Sequence, residues 1–113
     1  MSAALLVRIA ARDIPQREGR VLIVDGREVA VFNLGHRFLA VDNRCPHKQG
    51  PLADGIVSGD AVVCPLHARK INLETGCVER PAGETACVKT YAVQVDGQEI
   101  VLEVPANEVH AYS

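Results

Sequence analysis

Residues 45–67 read CPHKQGPLADGIVSGDAVVCPLH, and the interpretation of the whole sequence depends on this stretch. It begins with the box Cys45-Pro46-His47 and ends with the box Cys64-Pro65-Leu66-His67, with residues 48–63 between them. Each box offers one thiolate and one imidazole, which are side chains that bind iron and zinc in proteins. The stretch therefore predicts a metal centre held by two loops.

Two kinds of metal centre fit a set of two cysteines and two histidines. In one kind of [2Fe–2S] cluster, two histidines replace two cysteines on one of the irons. In a structural zinc site, the paired ligands of each half usually have two to four residues between them, whereas only Pro46 separates Cys45 from His47. We therefore favour a [2Fe–2S] cluster and keep a structural zinc module as the alternative. The predicted ligands are Cys45 and Cys64 on the inner iron, and His47 and His67 on the outer iron.

The sequence outside the boxes is typical of an all-β domain, because short apolar runs alternate with turn signals. Asp25-Gly26 and Asp96-Gly97 predict two hairpins, since glycine tolerates the positive φ that such turns require. Ile14–Gly19 is predicted to be a loop. The predicted strands are Leu5–Ala11, Val21–Val24, Glu28–Phe32, Phe38–Val41, Tyr91–Val95 and Glu99–Val104.

Residues 42–81 have a different character, being rich in glycine and proline and without a helical period. A loop region of this length within one domain is usually functional, and we expect a metal cluster, rather than apolar burial, to hold it together. The predicted organisation is a single domain over residues 1–104, with its cluster-binding part at about 42–81. Residues 105–113 are predicted to be a polar tail.

Composition narrows the possible partners and location of the protein. The 113 residues include 12 Lys and Arg against 14 Asp and Glu, so the net charge is −2. This near balance argues against nucleic acid, which requires a concentrated basic surface. No apolar run approaches the roughly 20 residues of a membrane span, and the first residues do not resemble a secretory signal. We expect no membrane partner and a cytoplasmic location.

At its two boxes the chain resembles the Rieske superfamily, and the resemblance extends over about residues 5–104. Within that superfamily it is most similar to the small subunits of assimilatory NAD(P)H-dependent nitrite reductase. Ala68-Arg69-Lys70 departs from that branch, where a polar and then an aromatic residue are expected after the second histidine. The similar segments are Cys45–Leu52, Gly55-Ile56-Val57, Val63–His67, Ile71–Gly76 and Cys87–Tyr91.

The resemblance also separates the chain from the Rieske proteins of cytochrome bc complexes. Those proteins carry an extra cysteine in each box, where this chain has Gly50 and Leu66. The chain therefore resembles the soluble, ferredoxin-like group.

The resemblance implies an antiparallel β-sandwich with a loop-rich cluster-binding subdomain. It implies a one-electron carrier that is not catalytic alone and that takes electrons from a flavin donor. The implied partner is the large flavin and siroheme subunit of nitrite reductase, or another oxidoreductase. The alternative within the family is the Rieske ferredoxin component of an aromatic-ring dioxygenase.

The remaining chemically active side chains are expected to be spectators. Cys77 and Cys87 are predicted to be small buried hydrophobic residues, because a reducing cytosol disfavours a disulfide between them. His36 and His110 are expected to be solvated. Arg69-Lys70 is predicted to be a solvated strand end, with a docking surface as the alternative.

The side chains next to the ligand histidines are predicted to form the docking face for a redox partner. A brief redox encounter uses a small, weakly bound interface. The predicted contacts are Lys48, Gln49, Pro51, Leu52 and Leu66.

Overall fold

The computed structural model describes residues 4–44, 51–65 and 69–105. Within these ranges the chain forms antiparallel strands and two short 3-10 turns, at Ala11–Asp13 and Leu52–Asp54. The strands are β1 (Ala4–Ala10), β2 (Glu18–Val24), β3 (Arg27–Asn33), β4 (Phe38–Asp42), β5 (Ile56–Ser58), β6 (Ala61–Val63), β7 (Lys70–Asn72), β8 (Val78–Arg80), β9 (Thr90–Asp96) and β10 (Glu99–Pro105).

The strands form two antiparallel sheets. The larger sheet has the order β1-β10-β9-β4-β3-β2, and the smaller one has the order β5-β6-β7-β8. The two halves of the larger sheet join where β4 pairs with β9, at Ala40 opposite Tyr91 and Val41 opposite Thr90. The predicted all-β, antiparallel fold is confirmed.

Strand β3 connects the two hydrophobic cores of the molecule. Val29, Ala30, Val31 and Phe32 are all fully buried, although successive side chains of a strand point to opposite faces. Val29 and Val31 pack with residues of β9 and β10, whereas Ala30 and Phe32 pack against the smaller sheet. The strand is therefore covered on both faces, which explains its continuous apolar sequence.

The first predicted hairpin is confirmed in place. β2 and β3 pair from Glu18 opposite Asn33 to Val24 opposite Arg27, and the two turn residues have positive φ, 52° at Asp25 and 80° at Gly26. This backbone is the one that a two-residue turn between twisted strands requires. The predicted loop at 14–19 extends too far, because β2 already begins at Glu18.

The second hairpin is also present, with its turn one residue later than predicted. Asp96 pairs with Glu99, so that the turn consists of Gly97 and Gln98. The predicted tail likewise begins too early, because Pro105 ends β10 and pairs with Ala4. Residues 106–113 lie outside the described residues.

The segment at 42–81 contains more regular structure than the sequence indicates. Its described parts carry the whole smaller sheet and an apolar core, so the expectation that a metal alone holds it together is wrong. Each of these strands has three residues, which is too short for a visible alternation of apolar and polar side chains. The buried residues of this segment include Leu52, Val62, Cys64, Ile71 and Leu73.

Among the described residues, no helix is long and apolar enough to cross a membrane.

Candidate metal centre

Of the four predicted ligands, the structure describes Cys64. Cys45, His47 and His67 lie outside the described residues, so their assignment remains a prediction. The structure does describe the residues that flank each ligand box, and these form the bases of two loops. We call 45–50 the first ligand loop and 65–68 the second ligand loop.

The base of the first ligand loop is closed by a short antiparallel bridge between Arg44 and Pro51. Asn43, which precedes it, is 3% exposed. Its backbone carbonyl accepts a hydrogen bond from the Leu52 N–H at 2.7 Å, and its side-chain Oδ1 accepts one from the Ala53 N–H at 2.8 Å. One buried side chain thus holds the two ends of the loop together.

Asn43 also fixes this base to the larger sheet through Glu28 of β3. The Asn43 N–H donates to the Glu28 carbonyl at 3.0 Å, and Nδ2 donates to Glu28 Oε1 at 3.1 Å. Arg44 Nη2 donates to the other carboxylate oxygen, Oε2, at 3.3 Å. Because buried polar groups must be paired, this network specifies one position for the base.

The base of the second ligand loop is closed by a hydrogen bond from the Cys64 N–H to the Arg69 carbonyl, at 2.7 Å. Cys64 is 1% exposed and has a free thiol. It follows β6 directly, so the sheet fixes its backbone. A buried thiol on a rigid support suits the inner, thiolate-bound iron of the predicted cluster.

The two bases adjoin each other. β5 follows the first loop and pairs with β6, which leads into the second loop, with Ile56 opposite Val63. A Cβ atom on Gly55 would lie 2.4 Å from the Val63 carbonyl oxygen, so only glycine permits this close approach. The described contact of Gly55 is therefore with β6.

A single apolar cluster lies beneath both loops, since Leu52, Ala53 and Cys64 belong to the same core. The fold therefore brings the bases of the two ligand loops together, as a Cys₂His₂ donor set drawn from both boxes requires. When bound, a cluster of this ligand set accepts and releases one electron.

Leu52 does not belong to an exposed docking face. It is fully buried in this core, and the prediction that it contacts a partner is wrong. Pro51 is exposed, as predicted, and Lys48, Gln49 and Leu66 lie outside the described residues.

Arg69 is not a solvated strand end. Its side chain is 14% exposed and makes a two-pronged ion pair with Glu84, whose side chain is 28% exposed. Arg69 Nη2 donates to Glu84 Oε2 at 2.7 Å, and Nε lies 3.0 Å from both carboxylate oxygens. The pair links the base of the second loop to a segment that is distant in sequence.

Cys77 and Cys87 are not separate buried residues, because a disulfide joins them. Cys77 is half-buried and Cys87 is exposed, and the two form an antiparallel bridge. The prediction failed because it relied on an assumed reducing compartment, whereas the disulfide depends on an isolated bridge, outside the named strands, that places the cysteines opposite each other. His36 is 67% exposed, as predicted, and His110 lies outside the described residues.

A hydrogen-bonded tyrosine supports the strand that leads into the first loop. Tyr91 Oη donates to Asp42 Oδ1 at 2.5 Å, and the Asp42 N–H donates to the Lys89 carbonyl at 2.9 Å. Burial, with the hydrogen bond to Asp42, raises the pKa of Tyr91 to about 12. Tyr91 therefore stays a neutral donor at physiological pH.

Sequence reasoning missed Asn43 and Glu84. One sequence feature could have identified Asn43, namely its position between an apolar strand and the first box. Glu84 had none, because nothing near it in sequence indicates contact with Arg69.

Comparison with known proteins identifies the class. The model of the Rieske [2Fe–2S] domain matches residues 5–92. The chain therefore belongs to the Rieske [2Fe–2S] domain family, whose cofactor is a [2Fe–2S] cluster and whose role is electron transfer. This decides between the two metals that the sequence left open, in favour of iron.

Individual relatives define the similarity further. The chain is 40% identical over 98 residues to the 3-phenylpropionate/cinnamic acid dioxygenase ferredoxin subunit of Shigella boydii, covering 82% of this chain and 87% of that protein. It is 30% identical to the ferredoxin of carbazole 1,9a-dioxygenase from Nocardioides aromaticivorans, with a TM-score of 0.77 over 86% of this chain and 95% of that one.

The nitrite reductase branch is represented among solved structures. The NADH-dependent nitrite reductase small subunit of Mycobacterium tuberculosis superposes with a TM-score of 0.79, covering 95% of this chain and 99% of that one, at 22% identity. At that identity the likeness concerns the fold alone. The preference for the nitrite reductase branch therefore lacks the support that the dioxygenase ferredoxins have.

Proposed function

We propose that this chain is the ferredoxin component of an aromatic-ring dioxygenase. The observation that carries the proposal is the 40% identity to a dioxygenase ferredoxin subunit over most of both chains. The structural match to a second dioxygenase ferredoxin at 30% identity supports it. The nitrite reductase interpretation has only a shared fold behind it.

In this proposal Cys45, His47, Cys64 and His67 hold the cluster. Cys64 extends from the rigid end of β6, and Asn43 keeps the first loop beside it. The buried core beneath Cys64 excludes water from the inner side of the centre. The chain itself carries the electron and performs no bond chemistry.

The proposed partners are a flavin-containing reductase, which supplies electrons from NAD(P)H, and a terminal oxygenase, which accepts them. We propose a cytoplasmic location, in which the Cys77–Cys87 disulfide would have to resist a reducing environment. No nucleic-acid or membrane partner belongs to the proposal.

The test is reconstitution of electron flow with purified proteins. The holoprotein is added to an NADH-dependent flavin reductase and an aromatic-ring terminal oxygenase, and formation of the cis-dihydrodiol product is measured. We expect product formation to depend on the wild-type chain and to be absent with Cys64→Ala.

A parallel assay measures nitrite-dependent NAD(P)H oxidation by a siroheme nitrite reductase large subunit. Stimulation of that reaction, without stimulation of the oxygenase, would overturn the proposal in favour of the nitrite reductase branch.

A further inference from the structure

The base of the second ligand loop contains an ion pair between Arg69 and Glu84. Arg69 follows His67 by two positions, and its carbonyl accepts the hydrogen bond from the Cys64 N–H. Its guanidinium is mostly buried against the Glu84 carboxylate. Arg69 therefore touches both the base of the loop and a separate segment of the chain.

Glu84 lies in a connecting segment, residues 81–86, that has no strand or helix. Most of the segment is exposed to solvent, and Glu84 is its half-buried member. A segment with so little apolar contact does not hold a side chain in one place by packing. It must be fixed at its ends.

The ends of this segment are fixed beside the smaller sheet. The Cys77–Cys87 disulfide closes the loop that consists of β8 and this segment. The Val78 N–H donates to the Ala86 carbonyl at 3.1 Å, and the Val88 N–H donates to the Gly76 carbonyl at 2.7 Å. The Asn72 N–H donates to the Cys77 carbonyl at 2.9 Å, which ties the disulfide to β7.

We propose that Glu84 is a positioning residue for the metal centre, acting through Arg69, and that the Cys77–Cys87 disulfide braces the segment that carries it. The proposal rests on the assignment of Cys64 and His67 as ligands. Two-pronged Arg–carboxylate pairs are directional as well as strong. Groups that orient a ligand from outside the coordination shell change metal affinity by about 10- to 100-fold when removed.

The proposed residue is tested by Glu84→Gln in the holoprotein. Glutamine keeps the size of the side chain and removes its charge, so the contact with the Arg69 guanidinium is no longer an ion pair. We expect excess EDTA to remove the cluster about tenfold faster from this variant than from the wild type. The loss is monitored by visible absorbance. We also expect a shift in the EPR g-values of the reduced cluster, because the orientation of the second loop changes.

The matched control is Glu74→Gln. Glu74 also pairs with an arginine, its Oε2 lying 3.3 Å from Arg37 Nη1, but it does not contact the base of either ligand loop in the described structure. We expect its cluster loss rate and EPR spectrum to equal those of the wild type. If Glu84→Gln matches the wild type in both readouts, the proposal is overturned.

A shorter acidic side chain keeps the proposal testable if Glu84→Gln does not fold, and a double variant tests the pairing if it does. Glu84→Asp retains the charge on a shorter side chain, and we expect an intermediate loss rate. Arg69→Gln combined with Glu84→Gln should be no worse than the poorer single variant, because both remove one interaction. Wild-type behaviour of Glu84→Asp, together with additive effects in the double variant, would contradict the pairing.

The brace is tested by Cys77→Ala combined with Cys87→Ala. We expect this double alanine variant to lose its cluster faster than the wild type, as Glu84→Gln does. Adding Glu84→Gln to the double alanine variant should have no further effect. Wild-type cluster retention in the double alanine variant would overturn the role of the disulfide.

Failure of the underlying ligand assignment has a different signature. In that case Cys64→Ala would retain a wild-type iron and sulfide content, whatever Glu84→Gln does.

Discussion

The two ligand loops rest on bases of opposite chemistry. Asn43, a neutral and buried amide, closes the first base through hydrogen bonds to backbone groups on both sides. The second base depends on a partly exposed ion pair, Arg69–Glu84, whose acidic partner sits in a disulfide-closed segment. The first base therefore depends mainly on a buried amide, with the exposed Arg44–Glu28 pair beside it, whereas the second depends mainly on an ion pair.

This difference indicates how each half of the site responds to its surroundings. A buried neutral network is insensitive to salt but costly to break, since each orphaned group loses its full hydration. A partly exposed ion pair is screened by salt and contributes less. Because the first base also contains the exposed Arg44–Glu28 pair, salt should weaken both bases, and the second base, which relies mainly on its ion pair, should be weakened more.

The largest expected effect comes from removing one thiolate from each loop in turn. Cys45→Ala and Cys64→Ala should both abolish the cluster, because each removes a predicted ligand of the inner iron. The measurement is iron and acid-labile sulfide content together with visible absorbance. Two irons and two sulfides per wild-type chain are expected for a [2Fe–2S] cluster. One zinc and no iron, in protein made under iron-replete and anaerobic conditions, would contradict this prediction.

The next effect concerns the first base. Asn43→Ala should lower the free energy of unfolding by about 2–3 kcal/mol, because the buried Ala53 N–H loses its acceptor. It should also speed cluster loss to a chelator. Asn33→Ala is the matched control, since that side chain bonds the Ile14 carbonyl and the Gly35 N–H, away from both bases.

For this pair of variants, chemical denaturation gives the stability and visible absorbance gives the cluster. We expect Asn33→Ala to lower stability while the chelator reaction stays at the wild-type rate. Equal cluster loss in the two variants would show that Asn43 acts on general stability alone.

The parts of the site that sequence reasoning predicted are those with local signals. The two ligand boxes are such a local signal, since each has a thiolate and an imidazole within a few residues, and their ligand assignment stays a prediction. The first hairpin is equally local, since Asp25 and Gly26 are residues that accept positive φ. In such cases neighbouring residues contain all the information that the structure needs.

The parts that sequence reasoning missed depend on which distant segments meet. β5–β8 have three residues each and no readable period, so only their pairing defines them. Arg69 looked solvated because Glu84 is remote in sequence. Cys77 and Cys87 looked independent for a different reason, because an assumed reducing cytosol argued against a disulfide between them.

A smaller effect is expected at the strand that leads into the first loop. The pKa of Tyr91 is raised to about 12 by burial and by its bond to Asp42, against about 10 in an unfolded chain. The protonated phenol therefore stabilises the fold fully below about pH 10, and this stabilisation disappears as the pH rises through about 12. Tyr91→Phe should cost about 1–2 kcal/mol at pH 7.

The comparison for Tyr91 is the difference in unfolding free energy between wild type and Tyr91→Phe, measured by urea denaturation from pH 8 to pH 11. The difference should shrink as the pH rises above about 10, because only the wild type carries the titrating phenol. A constant difference over the whole range would mean that ionisation of Tyr91 is not coupled to folding.

The smallest expected effect is the dependence of the cluster loss rate on salt concentration, which distinguishes the two bases. Electrostatic screening extends over about 10 Å at 0.1 M ionic strength and about 3 Å at 1 M, so the Arg69–Glu84 contact weakens between these conditions without being abolished. We expect wild-type cluster loss to a chelator to be about two- to threefold faster at 1 M NaCl than at 0.1 M, since a partly exposed pair contributes well under 1 kcal/mol to such a difference. Glu84→Gln should lose most of this salt dependence, because its contact with Arg69 is no longer an ion pair, whereas Asn43→Ala should keep it while being faster at both salt concentrations. Equal salt dependence in wild type and Glu84→Gln would place the salt effect elsewhere in the chain and would remove the proposed difference between the two bases.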